Sequence, residues 1–142
     1  IDNGDPGYSE TGDGWDDSSY GNNYGTDKRF NWPGDGSRMA HWHFTGIPSG
    51  RYAVDFYVNH NDYAADAHYY IEHDTAPGGG QLVQASQNYV GDGWHPLGTY
   101  QFSRQAARIS VSDFWEGSGV YVVADAMRLT LQPTEPGFFG SY

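Results

Sequence analysis

Cysteine is absent from all 142 residues of the chain. That excludes a disulfide framework and any thiolate metal site, and it leaves the redox compartment unread. Basic side chains are scarce, seven against eighteen Asp and Glu, for a formal net charge of -11. A field of that sign opposes polyanions, which argues against nucleic acid as a partner. No apolar run approaches the roughly 18 residues of a membrane-spanning helix, so no membrane span is expected. The opening IDNGDPG has neither the form of a signal peptide nor a start-codon methionine, and reads as part of a longer or processed protein. Helical periodicity is missing too. Asn61 to His68, with Ala64, Ala65 and Ala67, allows one helical turn and no more.

Catalytic signatures are equally sparse. There is no GxSxG, no HExxH and no Ser/His/Asp set with supporting spacing. Asp16 with Asp17, or Asp62 with Asp66, have the composition that glycoside hydrolysis needs, but eighteen acids make such pairs unavoidable by chance. The chain reads as no enzyme in itself.

What it has instead is twenty Gly, twelve Tyr and five Trp. Many tight turns and aromatic-rich surfaces follow, in an all-β domain suited to recognition. The length fits one domain able to bury roughly 70% of its unfolded surface. Residues 1–37 are dense in Gly, Asp, Asn and Ser. Within them DNGDPG carries Asn-Gly and Pro-Gly, both turn formers. Asp2, Asn3 and Asp5 also group oxygen donors of the kind calcium prefers, though not at EF-hand spacing. Turn and calcium loop both stand as readings.

Alternation then takes over. Arg38 to Thr45 places Ala40, Trp42 and Phe44 on one face and His41 with His43 on the other, where solvated histidines are expected in the absence of a third metal ligand. Arg51 to Asn59 sends Tyr52, Val54, Phe56 and Val58 inward and leaves Tyr57 exposed. Ala67 to His73 does the same with Tyr69 and Ile71, leaving Tyr70 outward, on a sheet that Tyr57 could share. Tyr63 and Trp115 fall in loops, and Trp32 is a further exposed aromatic. Trp115 suits a lid on the core as well as a ligand platform. Eight or nine short antiparallel strands with turns every 8 to 12 residues point to a β-sandwich or jelly roll. The sandwich spans residues 1–132, and residues 133–142, rich in Pro and Gly, read as a tail or linker.

Gly119 to Leu131 is expected to be a core strand, with Val123, Met127, Leu129 and Leu131 at period two. Asp125 falls in phase with them. A carboxylate there requires hydrogen bonds, a cation or a metal, because an isolated buried charge is too costly.

In order along the chain, DNGDPGYSETGDGW, AHWHF, GRYAVDFYV, AHYYIEH, GWHPLGTYQF and VVADAMRL resemble the golvesin and xanthan-lyase carbohydrate-binding-like domain family. The likeness covers nearly the whole chain to about Leu131, and its two ends with WHPLG are the most specific parts. It implies a galactose-binding-like jelly-roll sandwich, an accessory module appended to secreted or cell-surface enzymes such as polysaccharide lyases and amidases. It also implies that the DNGDPG loop and Asp125 are neighbours closing the two ends of the sandwich, either through backbone hydrogen bonds with no cofactor required or through a structural calcium with Asp2, Asn3, Asp5 and Asp125 as candidate ligands.

The expected function is non-catalytic binding of a polysaccharide or cell-wall glycan by a secreted or surface monomer, alongside the other domains of its parent chain. The candidate platforms are Tyr57, Tyr70, Tyr63, Trp115 and Trp32. The net negative charge favours a neutral or calcium-bridged glycan over an anionic polymer. A structural or adhesion module that packs against neighbouring domains and holds no sugar is the alternative.

Overall fold

The computed structural model describes residues 1–19, 23–58, 66–88, 93–114 and 121–133. Eleven strands follow in the order β1 (Tyr8–Thr11), β2 (Asp16–Ser18), β3 (Lys28–Asn31), β4 (Met39–Thr45), β5 (Gly50–Tyr57), β6 (Ala67–Glu72), β7 (Gln81–Ala85), β8 (Trp94–Phe102), β9 (Ala106–Ser112), β10 (Val122–Ala124) and β11 (Met127–Leu131). Among the described residues there is no helix. A five-stranded sheet runs β1-β4-β9-β6-β7, and two three-stranded sheets run β11-β5-β8 and β10-β3-β2. All the strand pairs are antiparallel.

Alternating side chains make the layers. Tyr52, Val54 and Phe56 of β5 are buried, as are Ala67, Tyr69 and Ile71 of β6 and Ile109 and Val111 of β9. They share one core, and the rings of Phe56 and Tyr69 lie 4.9 Å apart, so the β5 and β6 sheets face each other as a β-sandwich. Trp42 fills the space beneath, with its indole nitrogen donating to the Asp125 carbonyl at 3.2 Å. The chain ends of the domain meet here, because Met127 donates to the Ile1 carbonyl at 2.9 Å.

Several expectations need correction. Among the described residues eleven strands replace eight or nine, because β2 and β3 form inside the Gly- and Asp-rich opening, held by Asp16↔Phe30 and Asp17↔Arg29 pairing. The supposed single strand over Gly119 to Leu131 is two. The chain leaves the β3 sheet after Ala124 and joins the β5 sheet at Met127, so Val122 to Met127 are all buried whatever their phase. Leu131, read as a core residue, is 47% exposed at the strand end. His41 is not solvated but buried, its ring bonded by the hydroxyls of Ser110 at 2.6 Å and Thr11 at 2.8 Å. Tyr57 and Tyr70 do not share a sheet, since β5 and β6 belong to opposite layers. The helical turn expected near Asn61 falls largely outside the described residues.

Candidate functional site

Three aromatic rings meet on the outer side of the β5 sheet. Tyr57 and Trp94 are register partners across β5 and β8, which puts their side chains on the same face, 5.3 Å apart between ring centres. Tyr24 arrives from the loop before β3 and packs edge-on against both, at 5.5 Å from Tyr57 and 5.4 Å from Trp94. Edge-to-face contact matches the positive rim of one ring to the negative face of the next. The turn before β8 depends on Gly93: a Cβ there would stand 1.8 Å from the Tyr57 ring, so only glycine lets that ring lie against the backbone.

Polar groups surround the trio. Arg128 lays its guanidinium 4.3 Å over the Trp94 ring and reaches its register partner Asp55 at 3.3 Å. Tyr24, Trp94, Arg128, Asp2 and Asp5 line a groove of about 230 Å³, floored partly by Met127. Tyr24 is the ring most open to solvent, at 44% exposed.

The position of Tyr24 is set by Asp125. Its amide donates to Asp125 Oδ2 at 2.9 Å, which ties the groove loop to the core. Asp125 is buried and also bonds the Asp2 side chain, so the opening loop and the penultimate strand junction are neighbours. Burial pushes the Asp125 carboxyl up to about 8, and the adjacent Asp2 adds to this, while the Tyr24 amide and the Lys28 ammonium oppose it. Asp2 is raised as well, chiefly by desolvation. Lys28 is buried, donates to Asn23 at 2.6 Å, and has its own affinity for a proton lowered by burial.

As a cation site this corner offers two buried oxygens without hydrogen-bond partners, Asn3 Oδ1 and Asp125 Oδ1. Against that, Asp5 accepts from the Asp2 amide at 2.8 Å, and the Asn3 amide group donates to Asp27 at 3.0 Å. Among the described residues no three carboxylates or imidazoles converge as metal ligands. Lys28 is the cation whose field reaches Asp125.

The other proposed platforms are dispersed. Trp32 is 55% exposed and leans on Tyr121 at 4.5 Å. Beside it Arg38 grips Asp113 at 2.6 Å, a fully buried carboxylate that also accepts from the Gly36 amide at 2.8 Å. Tyr70 is half-buried on the opposite layer, next to His68, Leu82 and Phe114. Tyr63 and Trp115 lie outside the described residues. Alternation puts Tyr57 on the outer face, where it is half-buried against Tyr24 and Trp94 and not exposed as expected, and it does not assign Tyr24, Trp94 or Arg128 to that face. An aromatic in β8 opposite an outward-facing Tyr57 was the available signal, but it requires the β5–β8 register, which alternation alone does not supply.

Antiparallel layers around one aromatic core, with a ring-lined groove on the outside, define a β-sandwich module. The profile of the golvesin C-terminal domain matches residues 1–131, and the chain belongs to that family. The structure of Paenibacillus xanthan lyase at 2.6 Å resolution contains a similar region, with a TM-score of 0.76 and 26% identity. That similarity covers 94% of this chain and 13% of the lyase chain. No curated protein sequence matches the chain.

Proposed function

We propose that the domain is a non-catalytic carbohydrate-binding accessory module of a larger polysaccharide-active protein, secreted or held at the cell surface. The observation that carries this reading is the groove itself: a half-exposed Tyr24 backed by Tyr57 and Trp94, with charged hydrogen-bonding groups at its edge. Pyranose rings present apolar C–H faces that stack on such rings, while carboxylates and guanidinium groups bond the hydroxyls. Family membership and the similarity to part of a xanthan lyase support an accessory role.

Charge defines which sugar suits the groove. Arg128 is already engaged by Asp55 and Trp94, and Asp2 and Asp5 contribute carboxylates. A neutral sugar fits those walls better than an anionic one. Affinity electrophoresis through gels containing neutral polysaccharides tests the reading: wild-type protein is retarded by at least one of them, and Tyr24→Ala is not. If wild-type protein migrates freely through every neutral and acidic polysaccharide gel, the domain is a packing module without a sugar ligand.

A further inference from the structure

We propose that the outer face of the five-stranded sheet is a second binding surface, which takes a carboxylate-bearing sugar across Tyr70 and the pair Arg104 and Arg108. Five of the seven basic side chains are engaged elsewhere. Lys28 is buried beside Asp125. Arg29 is held by Glu10 at 2.7 Å and Asp17 at 2.8 Å, Arg38 by Asp113 at 2.6 Å, and Arg128 by Asp55 at 3.3 Å. Arg51 extends to the Thr99 carbonyl at 3.4 Å. The two that remain, Arg104 and Arg108, line one hollow of about 260 Å³ together with His43 and Glu72.

Both guanidinium groups have capacity for a ligand. Arg108 meets Glu72 only at 3.6 Å, with both side chains more than 40% exposed, a geometry that solvent weakens. Arg104 acts on Asp74 through its field, and Asp74 is itself occupied by the Ser103 amide at 2.8 Å. A guanidinium presents paired N–H donors that match the two oxygens of a carboxylate. Here two guanidinium groups share one hollow, with Glu72 and Asp74 as their neighbouring acids.

An aromatic platform adjoins it. His43, Arg108 and Glu72 are register partners in one row across β4, β9 and β6. Ser110 and Tyr70 stand in the next row on the same face, and such diagonal neighbours lie about 7–8 Å apart. Tyr70 also lines a separate hollow of about 360 Å³ with His68, Leu82 and Phe114. A sugar ring against Tyr70 therefore has its substituent within reach of Arg108. The net charge of -11 opposes a densely anionic polymer at long range. Screening over about 8 Å in physiological salt leaves the local contact to decide once a sparsely carboxylated chain is seated.

The test titrates the domain with a glucuronic acid-containing disaccharide and with its all-glucose counterpart, following backbone and arginine N–H resonances. The acidic sugar is expected to shift Arg104, Arg108 and Tyr70 and to bind about tenfold more tightly than the neutral one, the effect of one charge-assisted hydrogen bond. The double variant Arg104→Gln/Arg108→Gln is expected to lose that preference while melting like wild type. Tyr24→Ala, in the separate groove, is expected to keep it. Equal binding of the two sugars at this face, an unchanged preference in the double variant, or its loss in Tyr24→Ala would each overturn the proposal. Loss of neutral-sugar binding in Tyr24→Ala alone bears only on the groove.

Discussion

The backbone amide of Tyr24 donates to Asp125 Oδ2 at 2.9 Å, linking the most exposed ring of the groove to a carboxylate buried in the core. The proposed groove and the core therefore share one hydrogen bond. Asp125 in turn bonds Asp2, whose loop is tied to β11 through Ile1 and Met127.

This corner gives a sign for the pH dependence. Burial, reinforced by Asp2, pushes the Asp125 carboxyl up to about 8 in the folded protein, whereas an unfolded aspartate ionises near about 3.9. Between those values the folded state holds a proton that the unfolded chain releases. The contribution is fully present below about pH 4 and is lost as pH rises through about 8. Asp125→Asn mimics the protonated form, so its melting temperature is expected to fall less than that of wild type between pH 5 and about pH 9. Parallel pH profiles for the two proteins would contradict the assignment.

Metal removal tests how the corner is neutralised. With a proton and the Tyr24 amide serving Asp125, excess EDTA is expected to leave the melting temperature unchanged, and millimolar calcium to add nothing. A calcium-dependent rise of several degrees would show that Asn3 Oδ1 and Asp125 Oδ1 take a cation instead.

Gly93 is the steric test of the groove. The Cβ of Gly93→Ala collides with the Tyr57 ring, so that ring must move. A loss of about 1–3 kcal/mol is expected from such overpacking, together with weakened glycan retention, both readable from denaturant melts and affinity gels. Unchanged stability and retention would mean that the Tyr57 ring is free to shift.

Asp113→Asn addresses stability away from the groove. It removes the charge that faces Arg38 at 2.6 Å from a fully buried position. Destabilisation of about 1–3 kcal/mol is expected, since the charge-assisted hydrogen bond from the half-buried Arg38 is lost and the Asn amide group brings a donor to a site where Asp113 only accepts, and glycan retention is expected to persist.

Much of the sandwich was legible from alternation. Tyr52, Val54 and Phe56 face inward as their period demands, and so do Tyr69 and Ile71. Asp125 stood out because a carboxylate in phase with apolar residues needs partners, and partners are present. What stayed hidden depends on contacts between distant segments. Tyr24 reaches Tyr57 and Trp94 from a turn-rich loop with no periodicity to assign it. The break between β10 and β11 is a change of sheet, which a run of apolar residues does not reveal. His41 has an outward phase that predicts exposure, yet Ser110 and Thr11 on the flanking strands bond its ring and it is buried.

The most direct measurement is a titration of the domain with an oligosaccharide from a retained neutral polysaccharide, observed at the tryptophan indole N–H and tyrosine ring resonances. The expected result is a saturable shift of Trp94 and Tyr24, with the buried Trp42 unmoved. Saturable binding that leaves both Trp94 and Tyr24 unperturbed would contradict the groove as the glycan site.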